Sequence, residues 1–160
     1  MYIPFDELPQ HARLWIYQAD RPLTAAEQAE INPQLQRFAE EWSSHGKGLQ
    51  ASARLLHNQF LVLANNESAT SASGCSIDKS VHFVRELEQQ LNVSFFDRTR
   101  LAFLREGQVE VVPMQELKGK VAAGDIDKNT LYFDTLVHDY GELREAWPRP
   151  AGNSWLSKYF

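Results

Sequence analysis

The densest grouping of residues able to do chemistry is Ser71-Ala72-Ser73-Gly74-Cys75-Ser76-Ile77-Asp78-Lys79-Ser80. It leads into an apolar stripe at Ile77, Val81, Val84, Leu87 and Leu91, a spacing that predicts a helix over about 77–91. The first turn of a helix leaves backbone N–H groups without intrahelical partners and carries a partial positive charge. Anions bind readily at such a place. Ser73, Ser76 and Ser80 add hydroxyls, Gly74 lets backbone approach a guest, and Asp78 and Lys79 lie close by. One chemistry that follows is ligand binding, with a small phosphorylated or carboxylated metabolite held by Ser73, Gly74, Ser76 and the free N–H groups. A second is nucleophilic: a helix N-terminus favours a thiolate, which makes Cys75 a candidate nucleophile. A third reading is architectural, with Ser73 or Ser76 capping the helix and Cys75 a small buried apolar residue.

A cysteine nucleophile needs a base within hydrogen-bond reach. His82 lies seven residues beyond Cys75, about 10 Å along a helix axis, which is too far. His45 reaches Cys75 only through the tertiary fold and is the base assigned to the thiol reading. A second place of interest is Trp42-Ser43-Ser44-His45-Gly46-Lys47-Gly48. There Trp42 could wall a ligand and His45 donate to it. The plainer alternative puts Trp42 in the core and Gly46 in the left-handed conformation that ends a helix. Asp78 and His82 are four apart and share a helix face. No CxxC pair occurs, and Val81 stands where a phosphatase-type loop would carry arginine.

A phosphate-binding P-loop requires G-x-x-x-x-G-K-[ST]. Lys79-Ser80 is present, but the second glycine is missing and Asp78 immediately precedes the lysine, where a carboxylate would oppose phosphate. A P-loop ATPase is therefore excluded. Asp20, Asp97 and Asp134 fall at or near predicted strands and read as turn and edge charges rather than metal ligands. No His pair has the i, i+4 spacing of a zinc helix. No metal and no cofactor are expected.

The elements that must position these residues follow from periodicity. Residues 13–19 alternate as a strand with apolar side chains on both faces, which predicts an inner strand. Thr24 and Glu27 have capping-box spacing. A helical stripe follows at Ile31, Leu35, Phe38 and Trp42, interrupted at Pro33, so a kink or two abutting helices are predicted between 24 and 44. Hairpins are predicted over 51–65 and 99–112, the second turning at Glu106-Gly107. A short helix over 114–123, a strand over 130–137 and a helix over 138–147 come next. The tail WPRPAGNSWLSKYF, with two prolines and two tryptophans, reads as extended. The order β-α-β-β-α-β-β-α-β-α predicts an α+β fold: a mainly antiparallel sheet with helices on one face around a split β-α-β core. Residues 1–147 form one domain, with 148–160 a tail packed on it.

Composition bounds the function classes. Apolar residues make up 43% and charged residues 23% of 160 positions, a globular balance. Sixteen basic against twenty-one acidic residues give a net charge of −5, and no basic patch stands out, so nucleic acid is not an expected partner. No apolar run approaches a membrane span, and the start MYIPFDELPQ has neither the basic nor the apolar character of a signal peptide. With Cys75 the single cysteine, an internal disulfide is excluded. The expected compartment is the cytoplasm, the oligomeric state is left open, and the expected partner is a small anionic metabolite. A further alternative is a protein-interaction domain using Trp147, Trp155 and Phe160.

The runs MYIPFDELPQHARLWIYQADR (1–21), HGKGLQAS (45–52) and SGCSIDKSVHFVRELEQQ (73–90), with Phe96-Asp97-Arg98 and Ser154-Trp155, are spread over nearly the whole chain. In these runs the chain resembles a family of short bacterial proteins that often carry the label "ABC transporter ATPase". The segment HDYGELR (138–144) departs from that pattern. The resemblance implies no established activity and no catalytic residues. The label itself would need Walker A and Walker B motifs and a signature such as LSGGQ, and none occurs here.

Overall fold

The computed structural model describes residues 1–160. In chain order the elements are β1 (Arg13–Gln18), α1 (Ala25–Glu41), β2 (Ser43–Ser44), β3 (Lys47–Gly48), β4 (Ala51–Leu56), β5 (Phe60–Asn65), α2 (Gly74–Leu91), β6 (Arg100–Arg105), β7 (Gln108–Pro113), α3 (Leu117–Ala122), β8 (Leu131–Tyr132), α4 (Tyr140–Glu145) and β9 (Arg149–Pro150). The fold is α+β with antiparallel sheets, as the element order predicts. No helix is long and apolar enough to cross a membrane.

The first half is a split β-α-β unit. β5 lies between β1 and β4 and runs antiparallel to both, so β1 and β4, joined by α1, run in the same direction. The capping box opens α1 as expected: Thr24 Oγ1 accepts from Glu27 N–H at 3.1 Å, and Glu27 Oε1 accepts from Thr24 N–H at 2.9 Å. Arg21 adds a two-pronged contact to Glu27 at 2.8 and 2.9 Å and donates to the Leu91 carbonyl, tying the start of α1 to the end of α2. Of the two predicted outcomes, abutting helices do not occur: α1 runs on as one helix through Pro33. Pro33 and Ala29, whose carbonyl loses its partner, both face solvent, while Ile31, Leu35 and Ala39 stay buried. Water can satisfy the orphaned carbonyl, so the helix continues.

Ile31 and Leu35 of α1 and Val84, Leu87 and Leu91 of α2 bury one face of the sheet against Leu61 and Leu63, with Trp15 and Tyr17 at the margin. The other face is covered too. Leu14, Val62 and Ala64 pack against Phe5, Leu8, Val137, Tyr140 and Leu143. β1 is therefore apolar on both sides, as its sequence implies, yet it is an edge strand rather than the expected inner one. Two covered faces do not require two paired edges.

The second half forms its own sheet, β7-β6-β8-β9. Its hairpin turns at Glu106-Gly107 and the β4–β5 hairpin turns at His57-Asn58, with positive φ at all four residues. The predicted strand 130–137 is a strand only at Leu131–Tyr132. Phe133 N–H still reaches the Ala102 carbonyl at 2.9 Å. The chain then crosses to the first sheet, where the His138 carbonyl accepts from Leu14 N–H at 2.8 Å.

The tail packs on the domain but is not extended. After β9 it makes two 3₁₀ turns, Ala151–Asn153 and Trp155–Tyr159, and buries Ala151 and Leu156 beside Leu101, Phe103 and Leu117. Arg149 pairs with Asp134, which is 1% exposed, and Leu136 N–H donates to the same carboxylate at 2.9 Å.

Two predictions follow from these contacts. Arg21 and the Thr24 amide hold the Glu27 carboxyl at about 2, against an ordinary 4.5. A depressed carboxyl contributes stability above its unfolded value and loses it as pH falls through the folded one. Thermal melts of wild type should therefore decline between about pH 4.5 and 2, and Glu27→Gln should flatten that decline; parallel curves would refute the linkage. Arg149→Met leaves Asp134 buried without its cation and should cost roughly 3 kcal/mol in urea unfolding. Adding Asp134→Asn should recover part of that loss.

Candidate functional site

The expected site at 73–80 is placed on α2, which begins three residues earlier than its apolar stripe suggests. Ser73 is the N-cap, and its Oγ accepts from Ser76 N–H at 3.2 Å. Gly74, Cys75 and Ser76 therefore form the first helical turn rather than a loop. The Ser76 hydroxyl turns back to donate to the Ser73 carbonyl at 2.8 Å, and the Ser80 hydroxyl donates to the Ile77 carbonyl at 2.6 Å. Both serines are buried. The hydroxyls expected to face a ligand are thus engaged within the helix, and neither cleft described below is lined by residues 73–80. Gly74, Asp78 and Lys79 are exposed. Lys79-Ser80 lies within the helix and not in a phosphate-cradling loop.

The structure decides between the alternatives for Cys75 and Trp42, the latter taking the plainer core position, and moves His45 from where it was expected. Cys75 is exposed rather than a buried apolar residue. Trp42 is 2% exposed: its indole N–H donates to the Ser76 carbonyl at 2.8 Å and its ring packs against Trp15 and Phe38. It pins α2 to the end of α1 and does not wall an open site. His45 and Gly46 are not at a helix end. Both have positive φ and form the tip of the β2–β3 hairpin, where His45 is exposed and makes no hydrogen bond to Cys75. Asp78 and His82 are not bonded to one another either.

Asp20, Asp97 and Asp134 stay apart in function. Asp20 accepts from Ser94 N–H, Asp97 from Thr99 and Arg100, and Asp134 from Arg149 and Leu136. No three His, Cys, Asp or Glu side chains are grouped so as to hold a metal ion.

The site that sequence reasoning missed lies at the seam between the two sheets. In a β-α-β-β-α-β unit of this kind the fourth strand would pair with the outer edge of β1. Here β6 occupies that side but belongs to the second sheet. The bridge between the strands is one side-chain bond, from Gln18 Nε2 to the Arg100 carbonyl at 3.2 Å. The gap is a cleft of about 360 Å³. Its walls are mostly apolar and aromatic, with Trp15, Tyr17, Phe95 and Phe96 on one side and Tyr132, Leu136, Val137 and Trp155 on the other. Leu136 is 61% exposed and Trp155 39%, both large apolar side chains open to solvent at this one place.

The backbone of β1 also opens into the cleft. Successive residues of an antiparallel strand direct their N–H and C=O groups to alternate sides. Leu14 N–H bonds His138 and Ala19 N–H bonds Gln59 next to β5, so the even-numbered residues point away from β5. Ile16 N–H and C=O, the Leu14 C=O and the Gln18 N–H therefore face the seam. None of them has a partner in the second sheet.

The charge there differs from that of the whole chain. Arg98, Arg100 and Asp97 line the cleft, one net positive charge in a protein of net −5. Arg100 is 3.2 Å from Asp97, whereas Arg98 has no ion-pair partner. Burial pushes the Tyr17 hydroxyl up, opposed first by its hydrogen bond with Ser80 and then by the positive charge of Arg98. Tyr132 is also pushed up, chiefly by burial and then by Asp134, and its hydroxyl accepts from Trp155 Nε1 at 3.1 Å. A second, wide and polar cleft is lined by His11, Arg13, Glu67, His138, Asp139 and Glu142 among others. Its groups are largely paired: Arg13 with Glu67, His11 with Ser68, and Asp139 with the first turn of α4.

Comparison with family models, curated proteins and solved structures finds no match for this chain. The geometry alone carries the functional reading.

The position of Cys75 gives a direct check. Cys75→Ser should change unfolding free energy by less than about 0.5 kcal/mol in urea unfolding, because the exposed thiol has no bonded neighbour; a larger loss would show a contact that the exposed position does not supply.

Proposed function

We propose that this protein is a binding module whose ligand, small, anionic and partly apolar, sits in the cleft between β1 and β6. One observation carries the reading: unpaired backbone donors and acceptors of an edge strand open into an aromatic-walled cavity. An unpaired backbone group shut away from water costs free energy, so such groups are ordinarily satisfied by protein, water or ligand. Cavities of this size that combine apolar walls with a few convergent polar groups are the usual form of small-ligand sites. Arg98, free of any carboxylate, supports the anionic character. The anion proposed for the start of α2 is thereby moved to the seam, because Ser73 and Ser76 are engaged in capping.

The other functional readings have less support. Cys75 has no hydrogen-bonded base, which leaves a thiol-dependent reaction without its proton acceptor. The tail is built into the core through Leu156, Ala151 and Arg149, so it is not a free interaction arm. The acidic net charge argues against nucleic acid. A single exposed thiol suits a reducing compartment, and we propose the cytoplasm.

The test uses 1-naphthoate as probe, followed by amide shifts in the ¹⁵N-labelled protein. Shifts should map to Ile16, Gln18, Phe96 and Leu136. Leu136→Glu, which puts a carboxylate on the rim, should weaken binding severalfold without lowering the melting temperature. Shifts confined to Gly74–Lys79 would return the anion to the α2 start, and no shift at millimolar probe would sink the reading.

A further inference from the structure

We infer that the group this cleft accepts is the C-terminal end of an extended peptide, laid parallel to β1; the inference rests on the seam being a ligand site. The open edge of β1 is short. It is closed at Leu14, where His138 accepts the N–H, and braced at Gln18, whose side chain reaches Arg100. Between these points the strand offers Ile16 N–H, Ile16 C=O and then Gln18 N–H. In a parallel ladder one residue donates to the carbonyl before its partner and accepts from the amide after it. An incoming strand therefore places a backbone carbonyl on Ile16 N–H and its last N–H on Ile16 C=O. The next acceptor in line, opposite Gln18 N–H, is the terminal carboxylate. Adding a strand to an exposed sheet edge, and seating a chain-end carboxylate on backbone N–H groups, are both established modes of peptide recognition.

Direction and chain end are set by charge. Arg98 and Arg100 line the cleft, and the Arg100 carbonyl bonds Gln18, so the cationic part of the seam lies toward the Gln18 end of the opening. Asp97 is already held by Thr99 and Arg100, and it leaves Arg98 for an incoming carboxylate. An antiparallel strand would carry its end the other way, toward His138 and Asp139, where Glu67, Asp139, Glu142 and Glu145 outnumber one guanidinium, Arg13, which is itself paired with Glu67. The last side chain of the parallel strand falls on the Trp15–Tyr17 face, beside Phe96, which calls for an apolar or aromatic terminal residue. The Gln18–Arg100 bond bars continuation past the end. The preceding chain leaves over the exposed Leu136 and His138. A volume of about 360 Å³ is near the low end for ligand sites and suits the last two residues, not a long segment.

The experiment titrates ¹⁵N-labelled protein with acetyl-Ala-Phe, its C-terminal amide, the analogue N-methylated at Phe, and a hexapeptide ending in Ala-Phe. The acid should shift the amides of Ile16 and Gln18 most. The amide and the N-methyl analogue should each bind at least fivefold more weakly, and the hexapeptide at least as tightly as the acetyl dipeptide. Arg98→Gln changes an exposed, unpaired side chain and should keep the wild-type melting temperature. It should weaken the acid at least fivefold and leave the amide unchanged. Equal affinity of acid and amide, or failure of the hexapeptide where the dipeptide binds, would overturn the inference. If 1-naphthoate perturbs the seam and no peptide does, the peptide inference fails and the cleft reading stands; if no probe perturbs it, both fail.

Discussion

Strand β5 is hydrogen-bonded along both edges and buried at all six positions, and the rest of the molecule is arranged around that fact. A central strand of sequence FLVLAN has no polar side for water, so both faces must be roofed. α1 and α2 roof one face. The N-terminal 3₁₀ turn Phe5–Glu7 and α4 roof the other. β1 and β4 are then committed to β5 by one edge each. Met1 and Ile3 exchange backbone bonds with Ala51 at the outer edge of β4, while the outer edge of β1 is left for whatever lies across the seam.

That edge explains why the molecule has two main sheets with a cleft between them rather than one continuous sheet. β6 is drawn away from β1 because its hairpin with β7 and its pairing with β8 build a separate core around Phe103, Tyr132, Leu117 and Leu156. Residues 133–138 cross from one sheet to the other and anchor to each by a backbone bond. Asp134, paired with Arg149, fixes the start of that crossing. The bond from Leu14 N–H to the His138 carbonyl closes one end of the seam, and Gln18 with Arg100 sets the other. The exposed backbone of Ile16 is a consequence of this architecture, and an exposed strand edge is a place where another chain can pair.

The helix start at Ser73 looks, residue by residue, like the better ligand site, and the comparison is instructive. Its chemistry is used up locally. The Ser73 cap takes the Ser76 N–H, and Ser76 and Ser80 return their hydroxyls to carbonyls of their own turn. Trp42 then seals the inner side of the turn. A serine-rich helix start is satisfied from within its own few residues, as short hydroxyl side chains tend to be. Arg98, by contrast, is unremarkable in sequence, one of several arginines near 100. It matters only because its carboxylate neighbour is paired with someone else.

Local signals were enough for the α+β class, the split β-α-β order, the Thr24–Glu27 box and the hairpin at Glu106-Gly107. Each depends on side-chain period or on backbone preferences within a few residues, which the sequence states directly. The continuity of α1 through Pro33 was not legible, because it turns on Ala29 facing water. Nor was the edge position of β1: alternation reports which faces are covered and says nothing about how many edges are paired. The same limit hid the seam. Trp15, Ile16, Phe96, Arg98, Leu136 and Trp155 lie as many as 140 positions apart, and no short-range pattern joins them. Only the tertiary structure decided that they meet, because their meeting follows from two sheets that each complete their own core and leave the outer edge of β1 facing the second sheet without a ladder between them.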